Sequence, residues 1–171
     1  FKFLPSIIMS YFSLNENGED DDEIFEENMN KYFIGFADFM DDDRSKFEFK
    51  KDKISKKNDI SLAIYPKDEI NKELVVYKRF NRSTFKMKSF LREIEITYKT
   101  SHPCTMNLKA FGFFSLNEDT NKDTDPYIAT NYCAKGSLTE LIKSIQTEPI
   151  DGTKLTIILY GISRGLRHIH S

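Results

Sequence analysis

From residue 47 onward the hydrophobic period of the chain changes in an order that few folds accommodate. Alternation comes first. Ile60, Leu62 and Ile64 alternate with Ser61, Ala63 and Tyr65, the pattern of a strand. Residues 47–51 alternate weakly ahead of it. Residues 66–72 are polar and turn-like, and residues 74–80 are rich in β-branched and aromatic side chains. Strand, turn and strand predict an antiparallel hairpin. The period then becomes helical at Met87, Phe90, Leu91, Ile94 and Tyr98. Ser101-His102-Pro103 ends this helix, because proline disfavours a helical residue before it. Two more strands follow at 108–114 and 127–132, with a polar loop at 117–125 between them. Ser137 with Glu140 makes a capping-box pattern. It opens a helix expected to turn Leu138, Leu141, Ile142 and Ile145 inward. The last helix has the clearest period, at Leu155, Ile158, Leu159, Ile162, Leu166 and Ile169. Its Gly161 and Gly165 would let another element approach closely, at some cost in helix stability. Segregated strands and helices predict an α+β fold.

The first 46 residues differ in texture. An apolar opening leads to a polar, acidic stretch at 15–22. A mixed stretch at 24–40 then carries Phe25, Tyr32, Phe33, Phe36 and Phe39 at the spacing of a short amphipathic helix. Residues 41–45 read as a loop. The chain thus divides into an N-terminal extension, 1–46, and a domain, 47–171. Whether the extension packs on the domain or is mobile with one anchoring helix is left open by the pattern.

Composition excludes several classes. Twenty-five basic and 27 acidic side chains leave a net charge of −2, so no charge excess directs the chain to nucleic acid or an anionic membrane. The acidity is local, at 19–22 and 41–43, and such runs are expected to be solvated. The longest apolar run lies within residues 1–12. It is too short and interrupted to span a bilayer and lacks a clear secretory cleavage site. Cys104 and Cys133 make neither a disulfide framework nor a zinc site. A reducing, cytoplasmic location is the expectation. His168 and His170 face different ways on a helix, and no metal site is expected. The chain opens on Phe and closes inside a helical pattern, so truncation at both ends is expected.

The chemistry concentrates in Leu74-Val75-Val76-Tyr77-Lys78. Val76 and Lys78 share a strand face. A lysine in an apolar strand needs solvent, an anion or a carboxylate partner. Lys78 could reach the phosphates of a nucleotide lying across the sheet, with Val76 against the base. Glu93, on the next helix, could pair with Lys78 and hold it extended. Periodicity alone does not select Glu93, because Glu95 flanks the other side of the apolar stripe.

Five segments together resemble the first half of a protein kinase domain. Val75-Val76-Tyr77-Lys78 resembles the Val-Ala-Ile-Lys element. Phe90-Leu91-Arg92-Glu93-Ile94 is similar to the helix whose glutamate pairs with that lysine. Ser101-His102-Pro103 and the stretch from Leu108 to Gly112 resemble the His-Pro turn and following strand. Ile128-Ala129-Thr130-Asn131-Tyr132-Cys133-Ala134-Lys135-Gly136-Ser137-Leu138 resembles the hinge between lobes. Residues 155–171 resemble the long helix leading to the His-Arg-Asp loop. The hinge and final helix lean towards the tyrosine-kinase-like group of Ser/Thr kinases.

The resemblance implies a five-stranded antiparallel sheet with one helix over 47–130, a hinge at 131–136, and two second-lobe helices over 137–171. It implies ATP with Mg²⁺ and, in the intact protein, transfer of the γ-phosphoryl to Ser or Thr hydroxyls of protein substrates. Lys78 would hold phosphates and Glu93 would orient Lys78. Ile54, Leu62 and Val76 would enclose the adenine, and Thr130 would be the gatekeeper beside it. Asn131 and Cys133 would offer backbone hydrogen bonds to its edge.

Two departures stand out. The stretch where glycines should let backbone amides approach phosphates reads Ile54-Ser55-Lys56-Lys57-Asn58-Asp59-Ile60-Ser61-Leu62, without one. Asp59 would add repulsion there, partly offset by Lys56 and Lys57. The chain also holds no His-Arg-Asp, no asparagine downstream of one and no Asp-Phe-Gly, so by itself it is expected to be inactive. The alternative is a pseudokinase or scaffold that keeps the fold and binds partners without catalysis. The glycine-free loop favours it, and retention of Lys78 and Glu93 opposes it.

Overall fold

A computed structural model describes residues 37–55, 59–66, 70–115, 124–144 and 150–171. The acidic run at 19–22, most of the helix expected over 24–40, Lys56, Lys57, most of the loop at 117–125 and Ile145 lie outside the described residues. The chain forms two compact units, Phe1–Ala37 and Asp38–Ser171. The second holds every element described below, and residues 38–46 belong to it.

The fold is α+β. Strands β1 (Glu48–Ser55), β2 (Ile60–Tyr65) and β3 (Glu73–Arg79) precede helix α1 (Met87–Lys99). Strands β4 (Leu108–Ser115) and β5 (Thr124–Asn131) follow, then helices α2 (Leu138–Ser144) and α3 (Gly152–Ile169). The strands make one open antiparallel sheet in the order β1-β2-β3-β5-β4. β1 and β4 are its edges.

The two-residue period sorts the sheet into two faces. One face carries Ala63, Val75, Tyr77, Ala110, Tyr127 and Ala129, which with Phe47 form a buried cluster. Alanines beside tyrosines leave room for ring stacking. Tyr77 and Tyr127 stack at 4.8 Å, and Phe47 stacks on Tyr65 at 4.4 Å. Burial pushes the Tyr77 and Tyr127 hydroxyls far above their ordinary value, so both remain protonated hydrogen-bond donors.

Helix α1 lies on the other face. Its stripe of Phe90, Leu91 and Ile94 is buried, and the Phe90 ring meets Phe113 of β4 edge-on at 5.5 Å. Each such side chain contributes about 1.5–3 kcal/mol on burial, which holds the helix to the sheet. Thr100 and Ser101 close the helix, donating their N–H groups to Ile96 and Tyr98 carbonyls at 2.9 and 3.1 Å. Pro103 follows, as the sequence led one to expect.

The strap before β1 corrects one expectation. Residues 41–43 form a loop in which Asp42 and Asp43 are exposed, as an acidic run should be, but Asp41 is not. Met40 bridges Phe111 on the free edge of β4, and Asp41 N–H donates to the Phe111 carbonyl at 2.9 Å. Asp41 is only 7% exposed. Its carboxylate accepts from Tyr65 Oη at 2.8 Å and Asp43 N–H at 3.0 Å, and pairs with Lys46 at 3.0 Å. Tyr127 Oη donates to its carbonyl. Asp42 Oδ1 accepts the Phe113 N–H at 3.1 Å. Partial burial raises the Asp42 carboxyl above the ordinary aspartate value, the Phe113 N–H opposing and the Asp41 charge adding to the rise. Met40 lies at the β4 edge and β1 is the opposite edge, so residues 41–47 cross the sheet. A buried charge satisfied by a tyrosine, an amide and a lysine avoids the cost of an orphan.

Helix α2 opens on the expected capping box. Glu140 N–H donates to Ser137 Oγ at 3.2 Å, and Ser137 N–H donates to Glu140 Oε2 at 2.8 Å. These bonds hold the Glu140 carboxyl below its ordinary value. Of the residues expected to face inward, Leu138 and Ile142 are 47% and 56% exposed, whereas Leu141 is half-buried. Helix α3 touches the sheet unit through the turn after α1. Gly165 lies against the Cys104 carbonyl, so close that a Cβ would sit 3.0 Å from that oxygen. His168 stacks on His102 at 4.9 Å. Gly161 faces open space. No helix among the described residues is long and apolar enough to cross a membrane.

Candidate functional site

Alternation along β3 puts Val76 and Lys78 on the face that receives α1, and the buried stripe of α1 fixes how that helix lies. The result brings Lys78 and Glu93 together. Lys78 Nζ donates to Glu93 Oε1 at 2.6 Å and Oε2 at 2.9 Å. The ammonium also stands 4.5 Å from the centre of the Phe80 ring, within cation–π range. Glu95 pairs instead with Lys99, one helical turn along. The structure thereby separates the two glutamates that periodicity could not.

Lys78 and Glu93 keep about 40% of their side-chain surface in solvent, at 37% and 41%. A pair that exposed adds only about 0–1 kcal/mol to stability. Its consequence is positional: a cation is held extended over an accessible sheet face.

The residues beside it follow from register. Leu62 lies opposite Val76, Val76 opposite Thr130, and Thr130 opposite Leu108. Directly opposed residues share a face, so these four make a row across four strands. The neighbouring row holds Ile60, Lys78 and Ile128. Rows on one face are two residues apart, about 7 Å. A partly open apolar row one step from a fixed cation suits a ligand with a flat apolar end and an anionic end.

The end of β5 is tied to the turn before β4. Asn131 N–H donates to the Asn107 carbonyl at 3.2 Å, and Asn107 N–H donates to Asn131 Oδ1 at 2.7 Å. Asn131 can therefore offer a ligand its carbonyl but not its N–H. Cys133 is exposed, and its carbonyl accepts Gly136 N–H at 3.1 Å. Its N–H has no backbone acceptor among the described residues. Its sulfur lies 3.7 Å from Met106 Sδ. Ile54 lies in β1, and its side chain is outside the described residues.

No protein-family model matches this chain. A search of curated proteins finds no match either.

Asp59 is the second correction. It sits at φ 47°, the left-handed region that Asp and Asn enter more readily than most residues. Its carboxylate pairs with the Arg79 guanidinium. Its carbonyl accepts Arg79 N–H at 3.2 Å. Arg79 also reaches Asp125 at 3.3 Å. Arg79 alternates with Lys78 and so belongs to the opposite face of β3. The charge expected to repel phosphates is neutralised, and it is drawn towards that far face. Arg79, Phe80 and Asp125 escaped the sequence reading. Strand alternation next to Lys78 was the available signal for Arg79.

Among the described residues no three His, Cys, Asp or Glu side chains gather as a metal site. The donor set Mg²⁺ would need is not present among them. A groove of about 700 Å³ lies elsewhere, between the turn at 135–138, α2 and α3. Leu138, Leu141, Ile157 and Ile158 line it with Lys135 and Lys154. It shares no residue with the Lys78–Glu93 site.

Proposed function

We propose that this chain is the ATP-binding half of a protein kinase domain, of the Ser/Thr type and the tyrosine-kinase-like group. The lobe is 47–130, the hinge 131–136, and 137–171 begins the second lobe. One observation carries the reading: Glu93 holds the Lys78 ammonium one row from Leu62, Val76 and Thr130. Adenine lies on that row, against Leu62 and Val76, with Thr130 at its inner end. The Asn131 carbonyl and the Cys133 N–H face its edge. Lys78 binds phosphate oxygens through charge-assisted hydrogen bonds, and Glu93 keeps it from swinging into solvent. In the intact, cytoplasmic protein the γ-phosphoryl passes to Ser or Thr hydroxyls of protein substrates.

A second reading has its own support. No glycine occurs between Ile54 and Leu62, which favours a pseudokinase that keeps the fold and binds partners without catalysis. ATP affinity separates a working nucleotide site from a vestigial one. Calorimetric titration of the chain with ATP is expected to show saturable binding. A charged hydrogen bond contributes about 1.5–3 kcal/mol, so Lys78→Ala is expected to weaken ATP about ten- to a hundredfold. An absence of heat at millimolar ATP, or equal affinity of the variant, would overturn the nucleotide site.

A further inference from the structure

Asn131 is the last residue of β5, and its main chain faces β4. Tyr132 N–H donates to the Leu74 carbonyl at 3.3 Å, on the β3 side. Main-chain groups of successive strand residues point to opposite neighbours, so those of Asn131 point away from β3. Its N–H accordingly donates to the Asn107 carbonyl at 3.2 Å. In a regular antiparallel pair of this kind the two residues exchange both bonds, and the Asn107 N–H would take the Asn131 carbonyl. Here it does not. β4 and β5 slip in register between Leu108 and Ala110, and the Asn107 N–H donates to Asn131 Oδ1 at 2.7 Å instead. The side-chain oxygen of Asn131 thus stands in for the residue's own carbonyl. Asn107 is itself held in place. Its Oδ1 accepts the His102 N–H at 3.1 Å and the Ser101 hydroxyl at 3.2 Å.

We infer that the Asn131 side chain is a positioning group for base recognition: by taking the Asn107 N–H, it keeps the Asn131 main-chain carbonyl open to a hydrogen-bond donor on the edge of the base. The inference rests on the nucleotide reading above. A carbonyl kept open in this way is selective. It favours a base that presents an amino group, as adenine does, over a purine without one. The Asn131 N–H is committed to Asn107, so residue 131 recognises donors only. A side chain with no acceptor atom removes the substitute. The Asn107 N–H then turns to the carbonyl, and an incoming amino group has to displace it. The effect falls on the base, because Lys78 lies opposite Ile128, three residues from Asn131 along β5.

The test is calorimetric titration of the whole chain, unsubstituted or carrying Asn131→Val or Asn131→Asp. The ligands are adenosine and purine riboside, which lacks the amino group. Valine suits a strand, and aspartate keeps the acceptor oxygen. The unsubstituted chain is expected to prefer adenosine. Asn131→Val is expected to weaken adenosine about three- to tenfold, the effect of one neutral hydrogen bond, and to leave purine riboside unchanged. Asn131→Asp is expected to keep adenosine affinity within about twofold of the unsubstituted chain. Equal affinity of the unsubstituted chain for the two nucleosides overturns the inference. So does equal weakening of both by Asn131→Val, no weakening of adenosine, or an Asn131→Asp as weak as Asn131→Val. A second arm needs no ligand. NMR couplings across hydrogen bonds identify the acceptor of the Asn107 N–H. The expected coupling is to Asn131 Cγ in the unsubstituted chain and to the carbonyl carbon of residue 131 in Asn131→Val. Coupling to that carbonyl carbon in the unsubstituted chain overturns the inference. If the unsubstituted chain binds neither ATP nor adenosine, the nucleotide reading fails and the recognition role with it, and the couplings alone decide whether the carbonyl is kept open.

Discussion

Replacing Gly112 by alanine is expected to destabilise the sheet unit by about 3–5 kcal/mol. A Cβ at this position would strike the Asp41 carbonyl, and would come within 2.8 Å of Asp42 Oδ1 and 2.9 Å of the Tyr127 ring. None of these can withdraw cheaply. The Asp41 carbonyl is backbone and accepts the Tyr127 hydroxyl. Asp42 Oδ1 holds the Phe113 N–H. Tyr127 is fully buried and stacked on Tyr77. Relief requires the strap to lift, which breaks the Asp41–Phe111 and Tyr65–Asp41 hydrogen bonds and uncovers the aromatic cluster. Against a total stability of about 5–15 kcal/mol, that loss is severe. Gly161→Ala is the internal control. Nothing lies within 4 Å of the added methyl there, and alanine in a helix gains up to about 1 kcal/mol over glycine. Chemical denaturation of both variants checks the pair. A Gly112→Ala midpoint equal to that of the unsubstituted chain would contradict the strap as described.

The second large effect concerns α3. Leu155, Leu159, Ile162, Leu166 and Ile169 recur at spacings of four and three, and each is 42–55% exposed. A seam of this spacing is the kind that helices bury against one another. Contiguous apolar surface of this extent is unusual on a monomer. The chain is expected to bind a hydrophobic fluorescent dye and to self-associate as concentration rises. Substituting Leu159 and Ile162 together by lysine is expected to remove more than half of the dye signal. Folding should survive, because neither side chain is buried. A monomeric chain at high concentration without dye binding would show that the seam is not accessible.

Local chemistry was legible in the sequence, and long-range closure was not. The strands, the end of α1 at the His-Pro turn and the Ser137–Glu140 cap each depend on residues a few positions apart. Gly165 also packs closely on another element, as its place in the helix suggested. The contact of Lys78 with Glu93 needed a spacing borrowed from a family resemblance, since Glu95 fitted the period equally well. Asp41 was expected in solvent because acidic runs usually are. Its burial depends on Phe111 and Tyr127, which lie 70 and 86 positions away, and no periodicity connects them. Asp59 was expected to repel phosphates because its partner, Arg79, lies across a hairpin on the face opposite Lys78. The exposed side of α2 has a simpler cause. Apolar spacing says which side of a helix could be buried, and only neighbouring elements determine whether it is.

The central claim is that Lys78 stands at the phosphates of a nucleotide lying on the Leu62–Val76–Thr130 row. The most direct test is an acyl phosphate of ATP, which transfers its acyl group to a lysine amine lying beside the bound phosphates. Mass spectrometry of the digested chain then reads which lysines are acylated. The expected result is acylation at Lys78 ahead of every other lysine, suppressed by excess ATP but not by excess inorganic phosphate, and increased nowhere else. Acylation spread over surface lysines such as Lys135 and Lys154, unaffected by ATP, would contradict the account.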